Sequence, residues 1–352
     1  MSSEQPLSRD TVLVVPSSST ASGLVSYLSH MISAFPDLPV TILMIPGSDL
    51  HRALPEEVPR ITTTGSRSDM AHRLAAWAHR RMGVQTHGPR ALLAARTVGI
   101  PRRRLTHVFH EFPRAGGRQG WMELLLSTGI ARAANGVAME DWLRHVGLRP
   151  QWILPPVLGV PHTLAPVVAR RSLGIGEDRV VLGVIGRLSA VKAPLLAVEA
   201  ITRLDPTLRK RVTLCFIGAG PLRQSIAAQA VRMSVDVRLC GHVPDAAALM
   251  AGFDIIIAPS ARETFGIALA EAAIAGIPIA AVDSPGSRLI SDAGRLLQLA
   301  HPGPEALAVA IEGAIASGAS TTLAAYLLDT YGARALAPLY REHYRHLAEQ
   351  AG

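Results

Sequence analysis

Short apolar segments rich in valine and isoleucine alternate with amphipathic segments along almost the whole chain. Apolar runs of about four to eight residues indicate buried strands, whereas apolar residues three and four positions apart indicate helices with one buried face. In residues 68–82, for example, Met70, Leu74 and Trp77 lie on one helical face. Because parallel strands need long crossover connections, this alternation predicts an α/β protein whose parallel sheets carry helices on both faces.

The same pattern divides the chain into two halves. In the first half, strands are predicted at residues 11–15, 40–45, 60–63, 84–87 and 105–109, and helices at 23–35, 68–82 and 89–98. In the second half, strands are predicted at 180–185, 212–217, 237–240, 254–258 and 277–282, and helices at 193–204, 222–233, 246–253, 267–275, 305–316 and 321–349. A proline-rich segment between them, residues 154–165 (LPPVLGVPHTLA), is typical of a linker. We therefore expect two doubly wound halves, with the ligand site in the cleft between them.

The composition excludes several classes of protein. Of the 352 residues, 49% are apolar and 18% are charged, which is typical of packed domains and not of disordered chains. The formal net charge is +8, and residues 60–149 contain 15 arginines but five acidic residues. This basic segment could attract phosphorylated acceptors or anionic lipid, although the favoured interpretation is that arginine is simply this chain's solvating cation. Nucleic acid is not an expected partner, because no basic stripe is interleaved with aromatic residues.

Three features bear on where the protein works. The two cysteines, Cys215 and Cys240, lie in apolar strand-like runs, which predicts buried free thiols in a reducing compartment. The first residues, MSSEQPLSRD, lack the pattern of a secretory signal. No apolar run approaches the roughly 20 residues needed to span a bilayer. We expect a cytoplasmic protein with at most peripheral contact with an anionic membrane.

The stretch PSARETFGIALAEAAIAGIP, residues 259–278, contains the strongest candidate site. A buried strand ends at Pro259, and a loop leads through Gly266 into a predicted helix whose first amides and dipole suit a phosphate. Glu263 lies just before the helix and Glu271 about one turn into it, where carboxylates can accept hydrogen bonds from hydroxyl groups. Taken singly, Glu263 could cap the helix and Glu271 could be solvated. Together they suit a nucleotide sugar, which has both a diphosphate and hydroxyls.

Two further strand ends carry candidate residues. After the strand VVLGVI come Gly186, Arg187 and then Lys192, one of only two lysines, and such cations can neutralise a leaving diphosphate. The turn FIGAGPLR contains Gly218 and Gly220 but has Arg223 in place of a third glycine. As a dinucleotide-binding fingerprint, FIGAGPLR is therefore incomplete.

These motifs resemble glycosyltransferase family 4, the retaining group 1 glycosyltransferases of GT-B fold. The matching elements are Gly186-Arg187-Leu188 with Lys192, the turn FIGAGP, the strand end Cys240-Gly241-His242-Val243, and Glu263 and Glu271 followed by Gly276 and Pro278. Two positions depart from the family: Ala193 replaces a common glycine, and Leu289 replaces a glutamate in SPGSRLI. The resemblance spans residues 11–350 and is specific from Val180 to Pro285.

The resemblance implies a fold and a set of roles. It implies two Rossmann-like domains, an acceptor-side domain of residues 1–157 plus 333–352 and a donor-binding domain of residues 158–332, with the C-terminal helix crossing back to the first. By this resemblance, Glu263 holds sugar hydroxyls, Glu271 holds the ribose, and Val243 borders the nucleobase. Thr264, Phe265, Gly266, Gly186 and Gly220 contact the donor as well, and Arg187 and Lys192 stabilise the leaving diphosphate.

The first half matches the family less closely. His110 is the best counterpart of a histidine near the donor sugar, and His87 lies where relatives carry a cleft histidine. Ser22 and Gly23 take the place of a glycine pair near the diphosphate, with one glycine retained. A lone histidine at a strand end is more often structural, so a purely structural role stays open for His87 and His107.

The expected reaction is transfer of a sugar from a nucleoside diphosphate, UDP by preference, to an acceptor hydroxyl with retention. Bacterial natural-product, glycolipid or polysaccharide synthesis would supply such acceptors. The resemblance implies no cofactor and no metal, and no Asp-x-Asp motif or His/Cys cluster at ligand spacing is present. Two alternatives stay open: a dinucleotide-dependent oxidoreductase, which rests on FIGAG alone, and a non-catalytic subunit that binds nucleotide sugars.

Overall fold

The computed structural model describes residues 11–17, 23–78, 82–112, 118–291, 297–318 and 322–350. Its strands form two sheets. The first sheet contains β1 (Val12–Pro16), β2 (Val40–Met44), β3 (Arg60–Thr62), β4 (Gly83–His87), β5 (Leu105–Phe109), β6 (Ala131–Ala134) and β7 (Trp152–Ile153). The second contains β8 (Val180–Ile185), β9 (Val212–Ile217), β10 (Val237–Gly241), β11 (Ile255–Ala258), β12 (Ile279–Val282) and β13 (Leu297–Ala300).

Both sheets are doubly wound. Their strand orders are β3-β2-β1-β4-β5-β6-β7 and β10-β9-β8-β11-β12-β13, and neighbouring strands pair in parallel. The direction of winding reverses between β1 and β4 in the first sheet and between β8 and β11 in the second. In open parallel sheets, ligands bind beyond the carboxyl ends of the strands at such reversals. The predicted fold, two Rossmann-like α/β domains, is confirmed.

Helices connect the strands. In chain order they are α1 (Gly23–Ala34), α2 (Asp49–Ala53), α3 (Arg67–Ala78), α4 (Pro89–Thr97), α5 (Arg118–Leu126), α6 (Val137–His145), α7 (Pro166–Ser172), α8 (Pro194–Ile201), α9 (Pro206–Arg211), α10 (Arg223–Met233), α11 (Ile267–Ile274), α12 (Pro285–Ser291), α13 (Pro304–Ser317), α14 (Thr322–Tyr331) and α15 (Ala333–Glu349). Among the described residues, no helix is both long and apolar enough to span a membrane.

The chain divides into two compact units. The N-terminal unit comprises Met1–Val157 together with Ala333–Gly352, and the C-terminal unit comprises Leu158–Gly332. Helix α15 belongs to the N-terminal unit, where it packs against β1 and β4. The Tyr340 hydroxyl of this helix donates a hydrogen bond to the Pro155 carbonyl at 2.7 Å. The proline-rich residues 154–165 form no helix, and their extended backbone includes the change from one unit to the other.

The cores explain why the strand sequences are almost continuously apolar. In β11, Ile255 and Ile257 pack into a cluster on one face of the sheet, whereas Ile256 packs into a second cluster on the other. All three side chains are at most 2% exposed. Each isoleucine buried in this way contributes about 1.5–3 kcal/mol to the free energy of unfolding. Helices therefore cover both faces, as the pattern predicted.

Several local predictions were wrong. Residues 246–253 do not form an α-helix but a 3₁₀ helix, Ala247–Gly252. Helix α3 is described from Arg67 to Ala78, and residues 79–81 lie outside the described residues. Met82, which was predicted to be helical, is not in a helix, because β4 begins at Gly83. Cys240 is only half-buried, whereas Cys215 is buried as expected, and both are free thiols. The strands β6, β7 and β13 were not predicted, because segments such as ARAA lack the β-branched residues that mark a strand.

Candidate active site

The clearest candidate site in the C-terminal unit lies at the switch point between β8 and β11. These strands pair in parallel, so the loops that follow them, residues 186–193 and 259–266, leave the same edge of the sheet. Both loops were singled out in the sequence, and the fold brings them together. A third segment, the start of α12, contacts the second loop: the Gly286 N–H donates to the Glu263 carbonyl at 2.8 Å.

The side chains of Lys192 and Glu263 form an ion pair. Lys192 Nζ donates to Glu263 Oε2 at 2.6 Å, and the two side chains are 33% and 18% exposed. The Ser260 hydroxyl joins the same two loops by donating to the Val191 carbonyl at 2.7 Å. It also accepts a hydrogen bond from the Arg262 N–H at 3.1 Å, so Ser260 holds the start of the glutamate loop.

Glu263 is held from the other side by Gly286. A Cβ at position 286 would lie 2.9 Å from the carbonyl carbon of Phe265 and 3.0 Å from the carbonyl oxygen of Glu263. Only glycine allows this approach without movement of the backbone. Ser260 and Gly286 were not predicted, and a lone serine or glycine in a loop carries no local signal that would reveal them. Leu289, where the family has a glutamate, packs against the apolar core.

The loop turns sharply into α11 at Gly266. This residue is left-handed, with φ of 80°, and a Cβ there would lie 3.2 Å from Cγ of Glu263. The first amides of a helix have no partners within the helix, so the start of α11 offers donors to an anion. Thr264 and Phe265 are buried, and the Phe265 ring packs edge-on against Tyr331 at 5.0 Å. The backbone of these residues, and not their side chains, is therefore what a ligand could meet.

Glu271 lies in α11 and is partly buried. Burial, and then the nearby charge of Asp245, raise the pKa of the Glu271 carboxyl to about 7. A carboxyl group with this pKa changes its charge around neutrality. It accepts hydrogen bonds when ionised and can donate one when protonated.

The glycines of FIGAGP pack against the loop after β8. The Leu188 N–H donates to the Ala219 carbonyl at 3.0 Å, and a Cβ at Gly218 would lie 1.9 Å from the Gly186 carbonyl oxygen. A Cβ at Gly220 would lie 2.3 Å from the Leu188 carbonyl oxygen. Close packing of two backbone segments therefore explains these glycines without a dinucleotide.

The remaining predicted residues of this unit lie around the same loops. Arg187 is exposed, one residue after Gly186, which has a φ of 142°. Val243 follows the end of β10 and packs partly buried against the core. The loop residue His242 is exposed.

In the N-terminal unit, His110 lies directly after β5 and contacts His87 of β4. His87 Nδ1 and His110 Nε2 are 2.7 Å apart. Burial, and then the nearby His107, lower the pKa of His110 to about 3. The imidazole is therefore neutral at neutral pH. Gly23 is the first residue of α1, and Ser22 lies outside the described residues.

His107 has a separate environment. It is fully buried on β5, where Nδ1 lies 2.9 Å from the Thr86 hydroxyl and Nε2 lies 3.0 Å from Glu123 Oε1. These partners account for the buried histidine structurally, which agrees with the simpler interpretation of its sequence position.

Comparison with known proteins finds similar sequences for the C-terminal unit in particular. Residues 179–317 match the family described as "Glycosyl transferases group 1". D-inositol 3-phosphate glycosyltransferase of Geodermatophilus obscurus is 34% identical over 132 residues, which are 34% of this chain and 29% of that protein. The enzyme of the same name from Xylanimonas cellulosilytica is 27% identical over 62% of this chain and 60% of its own length. The chain thus spans about a third of the first of these relatives.

Solved structures resemble the whole described fold. Anabaena Alr3699/HepE in complex with UDP and glucose has a TM-score of 0.79 at 18% identity, with 95% of this chain and 98% of that chain covered. WaaG, a glycosyltransferase involved in lipopolysaccharide biosynthesis, has a TM-score of 0.68 at 16% identity, with 97% and 98% covered. The chain therefore has the GT-B fold of these proteins, and its residues 179–317 are similar to the group 1 glycosyltransferases.

Proposed function

We propose that this protein is a retaining glycosyltransferase that moves a sugar from a nucleoside-diphosphate sugar, UDP by preference, to an acceptor hydroxyl. The observation that carries the proposal is the Lys192–Glu263 pair, 2.6 Å apart beside the start of α11. The pair and the start of α11 together offer a cation for phosphate, a carboxylate for hydroxyls and backbone amides for an anion. Similar folds in complex with UDP and with UDP-glucose support the choice of nucleotide.

The residues of the site have distinct roles in this proposal. Lys192 and the exposed Arg187 offset the charge that develops on the leaving diphosphate, together with the backbone amides of residues 264–266. Glu263 binds sugar hydroxyls and Glu271 binds the ribose. Lys192 and Glu263 pair with each other, and in this proposal each of them also contacts the donor.

The remaining residues contribute through backbone or neutral groups. Gly186, Gly220 and Val243 border the nucleotide, and Gly23 lets the chain approach the diphosphate. The low pKa keeps the His110 ring neutral at neutral pH, so the ring does not act as a base there. In this proposal the neutral ring donates a hydrogen bond to a sugar hydroxyl.

The proposed step needs no enzyme nucleophile and no metal. The bond between the anomeric carbon and the phosphate oxygen breaks, and its electron pair leaves with the diphosphate. The acceptor oxygen then bonds to the anomeric carbon from the same face and gives its proton to the departing phosphate. Carboxylates that only accept hydrogen bonds are sufficient for this step, so neither Glu263 nor Glu271 has to transfer a proton.

The acceptor is proposed to be a phosphorylated small molecule, a lipid or a growing glycan in bacterial natural-product, glycolipid or polysaccharide synthesis. The arginine-rich residues 60–149 fit an anionic acceptor or peripheral contact of a cytoplasmic protein with an anionic membrane. The curated relatives named above act on D-inositol 3-phosphate by name, which is consistent with a phosphorylated acceptor. Inositol phosphates and lipid phosphates are therefore the first acceptors to try.

Donor binding is tested with the purified chain. A thermal-shift series with UDP, GDP, ADP and TDP identifies the base, because a ligand that binds only the folded state raises Tm. We expect UDP to give the largest shift. No shift with any of the four nucleotides would contradict the proposal.

Turnover is tested with UDP-sugars, with release of UDP as the signal and NMR of the product for anomeric configuration. Lys192→Ala and Glu263→Ala are expected to lower turnover by about 10²-fold or more with Tm near that of the wild type. Lys210→Ala is the matched control, because Lys210 is the other lysine and is exposed on α9. Nucleotide binding without turnover would indicate a non-catalytic subunit, and oxidation of a reduced nicotinamide would indicate the oxidoreductase. Loss of turnover in EDTA would contradict metal independence.

A further inference from the structure

A continuous row of buried polar side chains crosses the N-terminal unit and ends at His110. Gln85 of β4 lies between two histidines: its Oε1 is 3.0 Å from His343 Nε2, and its Nε2 is 3.0 Å from His87 Nε2. His87 Nδ1 is in turn 2.7 Å from His110 Nε2. Gln85, His87 and His343 are each 0% exposed. We call these four residues the relay.

The Gln85 amide gives the relay a direction. An amide nitrogen can only donate, so Nε2 of His87 accepts and the proton of His87 is on Nδ1. His87 Nδ1–H then donates to His110 Nε2, which places the proton of His110 on Nδ1. At the other end Gln85 Oε1 can only accept, so His343 Nε2 carries its proton.

The opposite direction would require the Gln85 amide to be turned by half a rotation. His343 Nε2 would then accept, and the His343 proton would move to Nδ1. That nitrogen is buried and has no hydrogen-bond partner among the described residues. A buried N–H without an acceptor is rarer than an unused lone pair, so this arrangement is disfavoured.

The rings of the relay are neutral and held in place. Burial is the main cause that lowers the pKa of His87 well below its usual value and the pKa of His343 to about 3. The Tyr27 ring packs edge-on against His110 at 4.7 Å, and the Tyr27 hydroxyl donates to the Leu154 carbonyl at 3.0 Å. The relay therefore carries no charge at neutral pH, and its proton positions are set by hydrogen bonds alone.

We propose that Gln85, His87 and His343 are positioning residues that hold His110 in its Nδ1–H tautomer, so that His110 meets the donor as a hydrogen-bond donor through Nδ1. The contact with the donor rests on the proposed function, whereas the tautomer does not. Residues of β4 and α15, which are far apart in the sequence, would thereby set the tautomer of His110.

The tautomer is measured directly by NMR on the full chain labelled with ¹⁵N-histidine, because protonated and unprotonated ring nitrogens differ strongly in shift. His110→Gln assigns the signal. We expect His110 to be protonated on Nδ1 in the wild type. A wild-type His110 protonated on Nε2 would overturn the proposal, whatever the variants or the activity show.

Two variants of His343 separate positioning from packing. Gln can donate from its amide to Gln85 Oε1, so His343→Gln is expected to keep the single tautomer of His110. His343→Leu removes that donor and lets the Gln85 amide turn, so a mixture of tautomers is expected, with kcat/KM for the donor about tenfold lower. Thr86→Val is the control: Thr86 lies on β4 between Gln85 and His87, and its replacement breaks a buried hydrogen bond to His107 of β5 but leaves the relay intact.

The outcomes distinguish the two proposals. A single Nδ1–H tautomer in His343→Leu would show that the relay does not set the proton position. A tautomer that changes as expected while the protein binds no nucleotide sugar would uphold the relay and contradict the proposed function. Gln85→Met, similar in volume and without amide donors, replaces His343→Leu if that variant does not fold.

Discussion

At the scale of single residues, Ala193 shows what a departure from a family pattern costs. It directly follows Lys192 and is left-handed, with φ of 45° and ψ of 44°. A side chain with a Cβ is strained in this region, whereas glycine adopts it freely. The glycine that the family commonly has at this position is therefore explained by the backbone. Among the described residues other than glycine, Ser234 is the second with positive φ.

Ala193→Gly is expected to raise the free energy of unfolding by up to about 1 kcal/mol, since relief of strain outweighs the extra flexibility of glycine in the unfolded chain. Urea denaturation of wild type and variant measures it. The control is Ala228→Gly at an exposed position inside α10, which is expected to cost about 1 kcal/mol. An equal decrease in the free energy of unfolding in both variants would contradict the proposed strain at Ala193.

Glu271 predicts a dependence of stability on pH. Its folded pKa of about 7 is above the unfolded value of 4.5, so the folded state binds the proton more tightly. The stability that this proton provides is full below pH 4.5 and is lost as pH rises through 7. Glu271→Gln stays neutral, so we expect it to be within about 1 kcal/mol of the wild type at pH 5 and to exceed it by about 2–3 kcal/mol at pH 8. Denaturation at both pH values measures this, and a difference that does not change with pH would refute it.

At the scale of elements, two glycine-containing loops of the C-terminal unit form one packed layer beside the site. Gly186 and Gly218 have almost the same backbone angle, with φ of 142° and 145°. They differ in surroundings: a Cβ on Gly218 would collide with the Gly186 carbonyl, whereas a Cβ on Gly186 would have no heavy atom within 4 Å of it. This pair separates the cost of the backbone angle from the cost of a collision.

Gly218→Ala is expected to lower the free energy of unfolding by about 2–4 kcal/mol more than Gly186→Ala does. Both variants carry the strain of an alanine at positive φ, but only the first forces the two loops apart. Thermal or urea denaturation of both variants tests this. Equal destabilisation would mean that the loops can separate without cost and that close packing does not explain the glycines.

At the scale of the whole molecule, the two units are expected to respond to acid differently. His87, His110 and His343, whose pKa values are lowered mainly by burial, all lie in the N-terminal unit. Their contribution to stability is full above the unfolded pKa of 6.5 and is lost as pH falls below it toward their lowered folded pKa values, which are about 3 for His110 and His343. Glu271, in the C-terminal unit, has the opposite sign. The four tryptophans all lie in the N-terminal unit and report on it alone: Trp77, Trp121, Trp142 and Trp152.

Urea unfolding followed by tryptophan fluorescence is therefore expected to shift to lower urea between pH 7.5 and pH 5. Each buried histidine contributes up to about 1.4 kcal/mol per pH unit below 6.5. His343→Gln removes one of the three groups, so its fluorescence midpoint is expected to change less with pH. Identical midpoints at pH 7.5 and pH 5 in the wild type would contradict the neutral, buried relay.

The sequence alone determined the fold class and most of the candidate residues of the C-terminal unit. Strand and helix periods are local properties, so β5, β8 and β9 were predicted to the residue. Glu263 and Lys192 were recognised from short motifs because each motif is built around one strand end. Segments without β-branched residues, such as β6 and β13, were missed because their burial comes from neighbours that the local pattern does not show.

Only the tertiary structure decided which of these residues meet. Lys192 and Glu263 are 71 positions apart and pair because β8 and β11 are neighbours at the switch point, an order that no local pattern encodes. Gln85 and His343 are 258 positions apart and meet because α15 packs against β4. Burial, which lowers the pKa of His110 and raises that of Glu271, is likewise a property of the packed molecule. Local periodicity specifies the elements, whereas long-range packing specifies the charge and partners of each site residue.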